Sequence, residues 1–264
     1  MKPLLYFCIG FASVAGPAGG FELQPVMTTA GKLLVSEDFS TAGIPASFRS
    51  PRTPNAFAIA AGALQATSQA GQPSSTHGVF AIEAHDLTIA FKVKFLQPAN
   101  LFVGVDGYSE LFRGNTHLVR FSLTPESMGW DQKRGGPASK HAVGEAMKAA
   151  RLAKQPLPAP TAEQLADPTF FRTEELAAVP IDCDVGSWHD VLLEINGNDL
   201  VAQVDGQTLL ATSTVADAAK NRIGFGMVKR ATLLIDDVRI WDNKRRADWD
   251  EVKSTLSDRQ DSKP

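Results

Sequence analysis

The chain has 264 residues, a formal net charge of −3 and 44% hydrophobic residues. This length suits one large β-sandwich or barrel that buries a sizeable core, and it argues against two separate domains. The nearly balanced charge offers no electrostatic reason for binding nucleic acid or an anionic membrane surface. We therefore expect neither of these partners.

The first 20 residues have the pattern of a secretory leader. Lys2 supplies the positive start, residues 4–14 form a short apolar stretch, and small residues follow as cleavage candidates. The apolar stretch is too short to span a bilayer. We predict a signal peptide over residues 1–20, no membrane span, and a secreted or periplasmic protein.

The strand signals begin directly after the leader. The clearest run is 86–95, in which Leu87, Ile89 and Phe91 alternate with smaller or polar residues. Such alternation is typical of an antiparallel strand with one buried face. Shorter runs with the same character lie at 33–39, 57–68, 101–105 and 117–124. The Ala61-Gly62 pair predicts a hairpin turn, and the Asp106-Gly107 pair predicts a turn that ends its strand.

The stretch from about residue 129 to residue 180 interrupts this pattern. It opens with a polar loop, continues with an Ala- and Lys-rich helix over 143–154, and then passes several prolines. A second short helix is predicted after Thr161, a residue type that caps helices. We interpret the stretch as a helical and Pro-rich insertion between two strands. Long insertions of this kind are usually functional or mobile.

Alternating runs return from residue 188 to residue 241. Hairpin turns are predicted at Asn196-Gly197 and Asp205-Gly206, and a β-bulge at Asp236-Asp237. Residues 243–264 form a charged, apolar-poor tail, for which we predict a frayed helix or disorder. Many short strands with few helices indicate an all-β fold. We predict a two-sheet antiparallel jelly-roll sandwich over residues 21–242.

Several motifs resemble concanavalin A-like domains and, among them, the 3-keto-disaccharide hydrolase family. The motifs that carry the resemblance are Ala61–Leu64, Asp86–Phe95, Gly186–His189, Val204–Gln207, Ile223–Gly226 and Asp236–Trp241. They span most of residues 33–242 apart from the insertion. The resemblance implies an exported protein with a carbohydrate-related role. It carries over no catalytic residue, since no active-site motif aligns.

The acidic residues do not follow the pattern of a two-carboxylate glycosidase on this fold. Laminarinase-like enzymes carry Glu-x-Asp-x-x-Glu on one strand, which places the acids on one concave face. Here the acidic pairs Glu37-Asp38 and Asp236-Asp237 are adjacent and point to opposite faces. Three hypotheses follow: a glycan-binding module, a hydrolase or lyase acting on 3-keto sugars, and a structural cell-envelope protein.

Five residues are candidates for binding a carbohydrate or glycoside ligand. His77 and His117 lie at strand edges, and Asp106 ends a strand beside a loop. Arg120 lies inside a strand, where its planar guanidinium can bind sugar hydroxyls. Trp130 offers a ring that can stack on a sugar face.

The sequence contains no motif for a metal or cofactor. It has neither His-x-His nor His-Glu-x-x-His, and we predict no metal site. Loss of the leader would remove Cys8 and leave Cys183 as the single cysteine. Cys183 lies between two aspartates, which disfavour a reactive thiolate.

Overall fold

The structure is a computed structural model that describes residues 23–50, 53, 56–68, 76–109, 113–156, 159–228 and 231–261. The predicted signal peptide lies outside the described residues. The elements are β1 (Thr28–Glu37), β2 (Phe48–Arg49), β3 (Phe57–Ala60), β4 (Ala63–Thr67), β5 (Thr76–Ala84), β6 (Leu87–Phe95), β7 (Asn100–Ser109), β8 (Gly114–Leu123), β9 (Ser127–Arg134), α1 (Pro137–Leu152), α2 (Ala162–Ala166), β10 (Arg172–Pro180), β11 (Trp188–Asn196), β12 (Asp199–Val204), β13 (Gln207–Thr212), β14 (Lys220–Val228), β15 (Thr232–Arg245) and α3 (Trp249–Asp261).

Two antiparallel sheets form the body of the protein. The eight-stranded sheet has the order β13-β12-β11-β6-β15-β4-β3, with β1 also paired to β15. The seven-stranded sheet has the order β10-β9-β8-β7-β14-β5-β2. This arrangement confirms the predicted all-β jelly-roll sandwich. None of the helices in the described part of the chain has the length and apolar character that a membrane crossing requires.

The core lies between the two sheets, as the alternation predicts. Leu87, Ile89 and Phe91 of β6 are 0% exposed and belong to one continuous apolar cluster. The Phe91 ring meets Phe225 of the other sheet edge-on, with centroids 5.2 Å apart. Val191 on β11 joins the same cluster. Removing these side chains from water is the main stabilisation of a fold of this kind.

The predicted turns at Ala61-Gly62 and Asp205-Gly206 and the predicted bulge are confirmed. Ala61 and Gly62 have φ values of 53° and 75°, and Asp205 and Gly206 have values of 47° and 84°. Positive φ at both central residues is the requirement of the tight hairpin turns that suit twisted strands. The pairing of β15 with β6 shifts register after Asp236, which places the bulge where it was predicted.

Both ends of the predicted insertion are strands. β9 and β10 pair with each other, and β9 also pairs with β8, so residues 127–134 and 172–180 extend the seven-stranded sheet. The prediction of a polar loop directly after Trp130 is therefore wrong. The insertion itself narrows to residues 135–171 and contains α1 and α2. A capping box at Thr161 begins α2, as predicted.

The Asp106-Gly107 pair does not form a turn. β7 continues through both residues to Ser109 and pairs with β8 along this length. A Cβ atom at position 107 would lie 2.2 Å from the Ala219 carbonyl oxygen. Glycine is thus required here by a close backbone approach, which is the other common reason for glycine within a strand.

Within the charged C-terminal tail, β15 continues to Arg245, and Trp249–Asp261 form α3, an ordered helix that packs on the eight-stranded sheet. Trp249 at its start is 1% exposed and packs with Met27, Val201 and Leu210 in a second apolar cluster. Its indole N–H donates to Asp199 Oδ2 at 2.9 Å. The prediction of a frayed or disordered tail is wrong because one buried aromatic residue anchors an otherwise polar helix.

Replacing Trp249 with Ala is expected to lower the free energy of unfolding by about 3 kcal/mol, since a large buried ring leaves a cavity. Urea denaturation measures the change. Asp250→Ala is the control, because this neighbouring side chain is 94% exposed. Equal stability of the two variants would contradict the anchoring role of Trp249.

A buried lysine holds the loops at one end of the sandwich. Lys220 is 2% exposed, and its ammonium donates to the carbonyls of His85, Ala216 and Ala218. Burial lowers the pKa of Lys220 to about 8. The ammonium satisfies backbone oxygens that would otherwise be buried without a donor.

Because the unfolded chain keeps Lys220 protonated to higher pH than the folded chain does, its contribution to stability becomes more favourable as the pH rises above about 8. Relative to Lys220→Met, the wild-type protein should gain about 2 kcal/mol of unfolding free energy as the pH approaches 10.5, the ordinary pKa of a lysine. Urea midpoints over this range measure the gain. Lys148→Met, at an exposed position, should follow the wild-type profile. Parallel profiles for wild type and Lys220→Met would contradict the assignment.

Candidate functional site

The outer face of the seven-stranded sheet carries most of the candidate residues. On β7, Val103 and Val105 point into the core, so the alternating Phe102 and Asp106 point outward. Arg120 lies opposite Gly104 in the ladder between β7 and β8 and therefore shares the same outer face. Because successive side chains point to opposite faces of the sheet, the polar residues between the core residues form this outer face.

Asp106 is the centre of an ionic network on this face. Its carboxylate is 1% exposed, and it binds His117 Nδ1 through one oxygen and Arg222 through the other. The Arg222 Nε and Nη2 atoms lie 2.6 and 2.5 Å from Asp106 Oδ2. Burial alone would raise the pKa of Asp106, but the hydrogen bonds and electrostatic attraction of His117 and Arg222 outweigh it and hold the pKa below its usual range.

A β-bulge places His117 in this network. The pairing of β7 with β8 shifts register between Val105 and Asp106, which leaves Leu118 as an extra residue on β8. In a regular ladder Asp106 would lie opposite Leu118, whereas the bulge puts His117 there. Bulges often redirect a side chain in this way beside functional sites.

Glycines on neighbouring strands leave room for two imidazole rings. A Cβ atom at position 224 would lie 2.2 Å from His77 Nε2, and one at position 104 would lie 3.2 Å from His117 Nδ1. The His77 ring stacks on Phe102 with centroids 6.0 Å apart and an interplanar angle of 21°. It meets the His117 ring at 90°, also at 6.0 Å. The glycines therefore let an aromatic surface form directly on the sheet.

Arg120 flanks this aromatic surface. Its Nε and Nη2 atoms bind Asp131 Oδ2 at 2.8 and 2.7 Å, and its guanidinium lies 5.8 Å from the centre of the Phe102 ring. Ion pairing with a carboxylate and contact with an aromatic face together fix its orientation. Arg120 therefore lies beside the aromatic surface and is held there by Asp131 and Phe102.

A cleft of about 350 Å³ opens over these residues, lined by His77, Val79, Phe102, Asp106, Asn115, Thr116, His117, Lys133, Lys140, Phe171 and Arg222. We call it the sheet cleft. The structure thus brings together three of the predicted site residues, His77, Asp106 and His117. Arg120 lies beside them. The cleft combines aromatic rings with convergent polar groups, which is the usual composition of a small-ligand site.

Trp130 lies on the other side of the sheet. It is 1% exposed, belongs to the main core cluster, and packs on Phe121 with ring centroids 5.4 Å apart. Its neighbour Asp131 takes the outward position on β9. The prediction of Trp130 as a sugar-stacking residue is wrong, because the residue belongs to a strand whose alternation directs it into the core.

The insertion supplies part of the cleft wall. Lys140 in the first turns of α1 donates to the Thr116 hydroxyl at 3.3 Å. Lys133 at the end of β9 donates to the Thr173 hydroxyl and lies 6.0 Å from the centre of the Phe171 ring. Burial, and then the nearby positive charge of Arg120, lower the pKa of Lys133.

Five further residues that line the cleft were not predicted from the sequence: Phe102, Lys133, Lys140, Phe171 and Arg222. For Arg222 a signal was present, since it alternates with the core residues Ile223 and Phe225. Lys133 was not recognised because its stretch was predicted to be a loop, for which no facing of side chains can be inferred.

One group of three potential metal ligands lies elsewhere in the described part of the chain. The ligand atoms of Cys183, His189 and Asp205 lie within 4.8 Å of one another. His189 already hydrogen-bonds Asp205 through Nδ1 at 2.6 Å and the Asp184 carbonyl through Nε2 at 2.8 Å. Burial and nearby acidic groups, Asp205 first, raise the pKa of the Cys183 thiol to about 12. The group thus fits a hydrogen-bonded brace for the β12–β13 turn better than a metal site.

A larger cleft of about 440 Å³ lies between the β12–β13 turn and α3, with Asp205, Gln207, Thr208, Arg259 and Gln260 among its lining residues. It contains no aromatic ring among the lining residues, and the outward network of Asp106 is on the other sheet. We therefore place the candidate site in the sheet cleft.

The comparisons with known proteins bear on the fold alone. No protein-family model and no curated protein matches the chain, so membership of the 3-keto-disaccharide hydrolase family stays a prediction. Among solved structures, one titled a sialidase has a TM-score of 0.51 and 14% identity over 83% of this chain. The chain spans 19% of the length of that sialidase.

Two smaller proteins from Bacillus subtilis are also similar. A protein of unknown function with a galectin-like fold has a TM-score of 0.50 and 10% identity, and the match covers 83% of this chain and all of the other, 100%. The carbohydrate-binding module CBM66 has a TM-score of 0.47 and 10% identity over 74% of this chain and 96% of the other. At these identities the similarity to the sialidase and to the galectin-like protein supports the sandwich fold and nothing further.

Replacing Asp106 with Asn is expected to lower the free energy of unfolding at neutral pH by about 2 kcal/mol, a value reduced from that of a fully buried pair because His117 and Arg222 are 41% and 44% exposed. The folded-state pKa of Asp106 is depressed, so this stabilisation is present above the ordinary aspartate value of 3.8 and is lost as the pH falls through the lower folded value. Urea denaturation of both proteins at several pH values measures it. A difference that stays constant under acid conditions would contradict the network.

Proposed function

We propose that the protein is an exported carbohydrate-binding module that holds its ligand in the sheet cleft. The main support for this proposal is that Phe102, His77, His117 and Arg222 converge on the outer face of one sheet. Aromatic rings pack on the apolar faces of sugars, while arginine, asparagine and threonine side chains hydrogen-bond the hydroxyls. The cleft therefore has both kinds of contact that a sugar ring requires.

The fold agrees with this proposal. Jelly-roll sandwiches similar to this one occur in a structure titled a sialidase. A fold by itself hosts many functions, so the support for a sugar ligand comes from the residues of the cleft. Export rests on the leader pattern of residues 1–20.

The cleft does not fit a hydrolase that works with two carboxylates. Asp106 is the single carboxylate among the described lining residues, and its lowered pKa keeps it ionised rather than ready to donate a proton. Asp131 lies two strands away and is bound to Arg120. A glycosidase of the usual kind needs one carboxyl group with a raised pKa as its acid.

One observation favours a second candidate function, a lyase or hydrolase acting on 3-keto sugars. His117 is bound through Nδ1 by a buried carboxylate and is itself 41% exposed to the cleft side. A carboxylate that orients an imidazole in this way is a common arrangement for a general base. Proton abstraction from a carbon beside the keto group is chemistry that such a base can perform.

Ligand binding is tested by calorimetric titration of the protein with neutral and acidic oligosaccharides. Phe102→Ala is expected to weaken the binding of any sugar ligand by about tenfold, because the cleft loses the buried ring on which His77 stacks. The control is Leu33→Ala, which removes an apolar side chain that is 47% exposed on the other sheet. Unchanged affinity in Phe102→Ala would contradict the sheet cleft as the binding site.

Turnover separates the two candidate functions. The protein is incubated with 3-keto-glucosides, and product formation is followed for the wild type and for His117→Gln. Turnover by the wild type that is lost in His117→Gln would replace the binding module by the enzyme. Binding of sugars without turnover supports the module.

A further inference from the structure

The sheet cleft is positively charged although the whole chain is negative. Among its described lining residues, Lys133, Lys140 and Arg222 stand against one carboxylate, Asp106. The chain as a whole has a formal net charge of −3. A local excess of one sign inside a concave site concentrates ligands of the opposite sign.

The carboxylate of Asp106 does not offset the two lysines. It is buried and bound on one oxygen by His117 and on the other by Arg222. Its negative charge is therefore largely compensated within the sheet. Lys133 and Lys140 stand on the side formed by β9 and the insertion, and their ammonium groups line the cleft there.

The surroundings of Lys133 suit an added negative charge. Its ammonium donates to a neutral hydroxyl, that of Thr173, and lies against the Phe171 ring. Burial lowers its pKa, and the charges of Arg120 and Lys140 lower it further, while Asp131 acts in the opposite direction. An anion bound beside this ammonium would favour its charged form and gain a charge-assisted hydrogen bond.

Lys140 reaches the same cleft from the insertion. It lies in the first part of α1 and donates to Thr116 of β8, so the helix and the sheet each contribute one ammonium to the wall. Without the insertion the cleft would keep its aromatic surface but lose Lys140 and Phe171. The insertion therefore adds charge selection to a surface that the sandwich itself provides.

We propose that the ligand of the sheet cleft is an acidic saccharide, whose uronate carboxylate or sulfate ester is bound by Lys133 and Lys140 while a sugar ring packs on His77, which the buried Phe102 ring supports. This inference rests on the proposed carbohydrate-binding function and specifies its ligand class. It distinguishes the cleft from one that selects neutral glucans.

Matched pairs of trisaccharides test the proposal. Neutral trimers of β-1,4-linked glucose, of mannose and of galactose are compared with the corresponding uronate trimers and with 6-O-sulfated trimers, by calorimetry with the full protein. At least one acidic series should bind about tenfold or more tightly than its neutral counterpart, as expected for charge-assisted hydrogen bonds. The advantage should shrink as sodium chloride rises from about 0.05 M to about 0.5 M. The uronate and sulfate series together identify the anion.

Variants connect the effect to the two lysines. Lys133→Gln and Lys140→Gln should each lower the affinity for the acidic trimer about fivefold or more, because each removes one charged hydrogen bond, and should lower the affinity for neutral trimers by a smaller factor. Lys148→Gln is the matched control, since Lys148 lies on the same helix at an exposed position. Circular dichroism confirms that each variant is folded.

The outcomes separate the two levels of the proposal. Equal binding of neutral and acidic trimers would overturn the acidic ligand and leave the carbohydrate-binding function standing. Binding of no trimer from any series would overturn both. Selective acidic binding that survives both lysine substitutions would overturn the role of Lys133 and Lys140.

Discussion

The buried carboxylate of Asp106 is the interaction on which the site depends. It lies on β7 and is bound by His117 of β8 and Arg222 of β14, so it joins three neighbouring strands on their outer side. A charge with 1% exposure is tolerated only when it is paired and hydrogen-bonded on all sides. The same bonds that satisfy Asp106 fix the direction of an imidazole and a guanidinium at the cleft. The same bonds are therefore needed both for the stability of the sheet and for the geometry of the site.

The two faces of the seven-stranded sheet have different roles: the inner face packs in the core and the outer face carries the cleft. Val103, Val105 and Phe225 on the inner face pack against the other sheet and hold the strands rigid. On the outer face, Gly224 leaves the space that the His77 ring occupies. Loops and the insertion then add charged groups at the rim. A rigid sheet that carries variable loops is a common basis for ligand sites, because the sheet keeps the contact groups in place.

The sequence predicts the sandwich because alternation on β6, β11 and β12 is strong and the turn residues are characteristic. The strand prediction fails at β9 because Gln132, which points inward, is polar and breaks the alternating pattern. Inside the protein this amide accepts a hydrogen bond from Ser213 at 2.8 Å, a long-range contact that no local pattern reveals. It also fails at Asp106-Gly107, because a pair that usually forms turns serves here for ion pairing and close backbone packing.

The site is predicted only in part for a similar reason. His77, Asp106 and His117 were found as polar residues at strand edges, and the fold brings them to one cleft. Trp130 was misplaced because its strand was not recognised. Lys140 and Phe171 reach the cleft through the packing of the insertion, which depends on contacts between distant residues. Alternation on one strand cannot specify such contacts.

The central claim is that the ligand binds on the outer face of the seven-stranded sheet. The most direct measurement is an NMR titration of the histidine ring resonances with the tightest-binding saccharide. We expect the resonances of His77 and His117 to shift together and those of His85, His141 and His189 to stay unchanged. Shifts confined to the other three histidines, or saturable binding with no shift at His77 and His117, would contradict it.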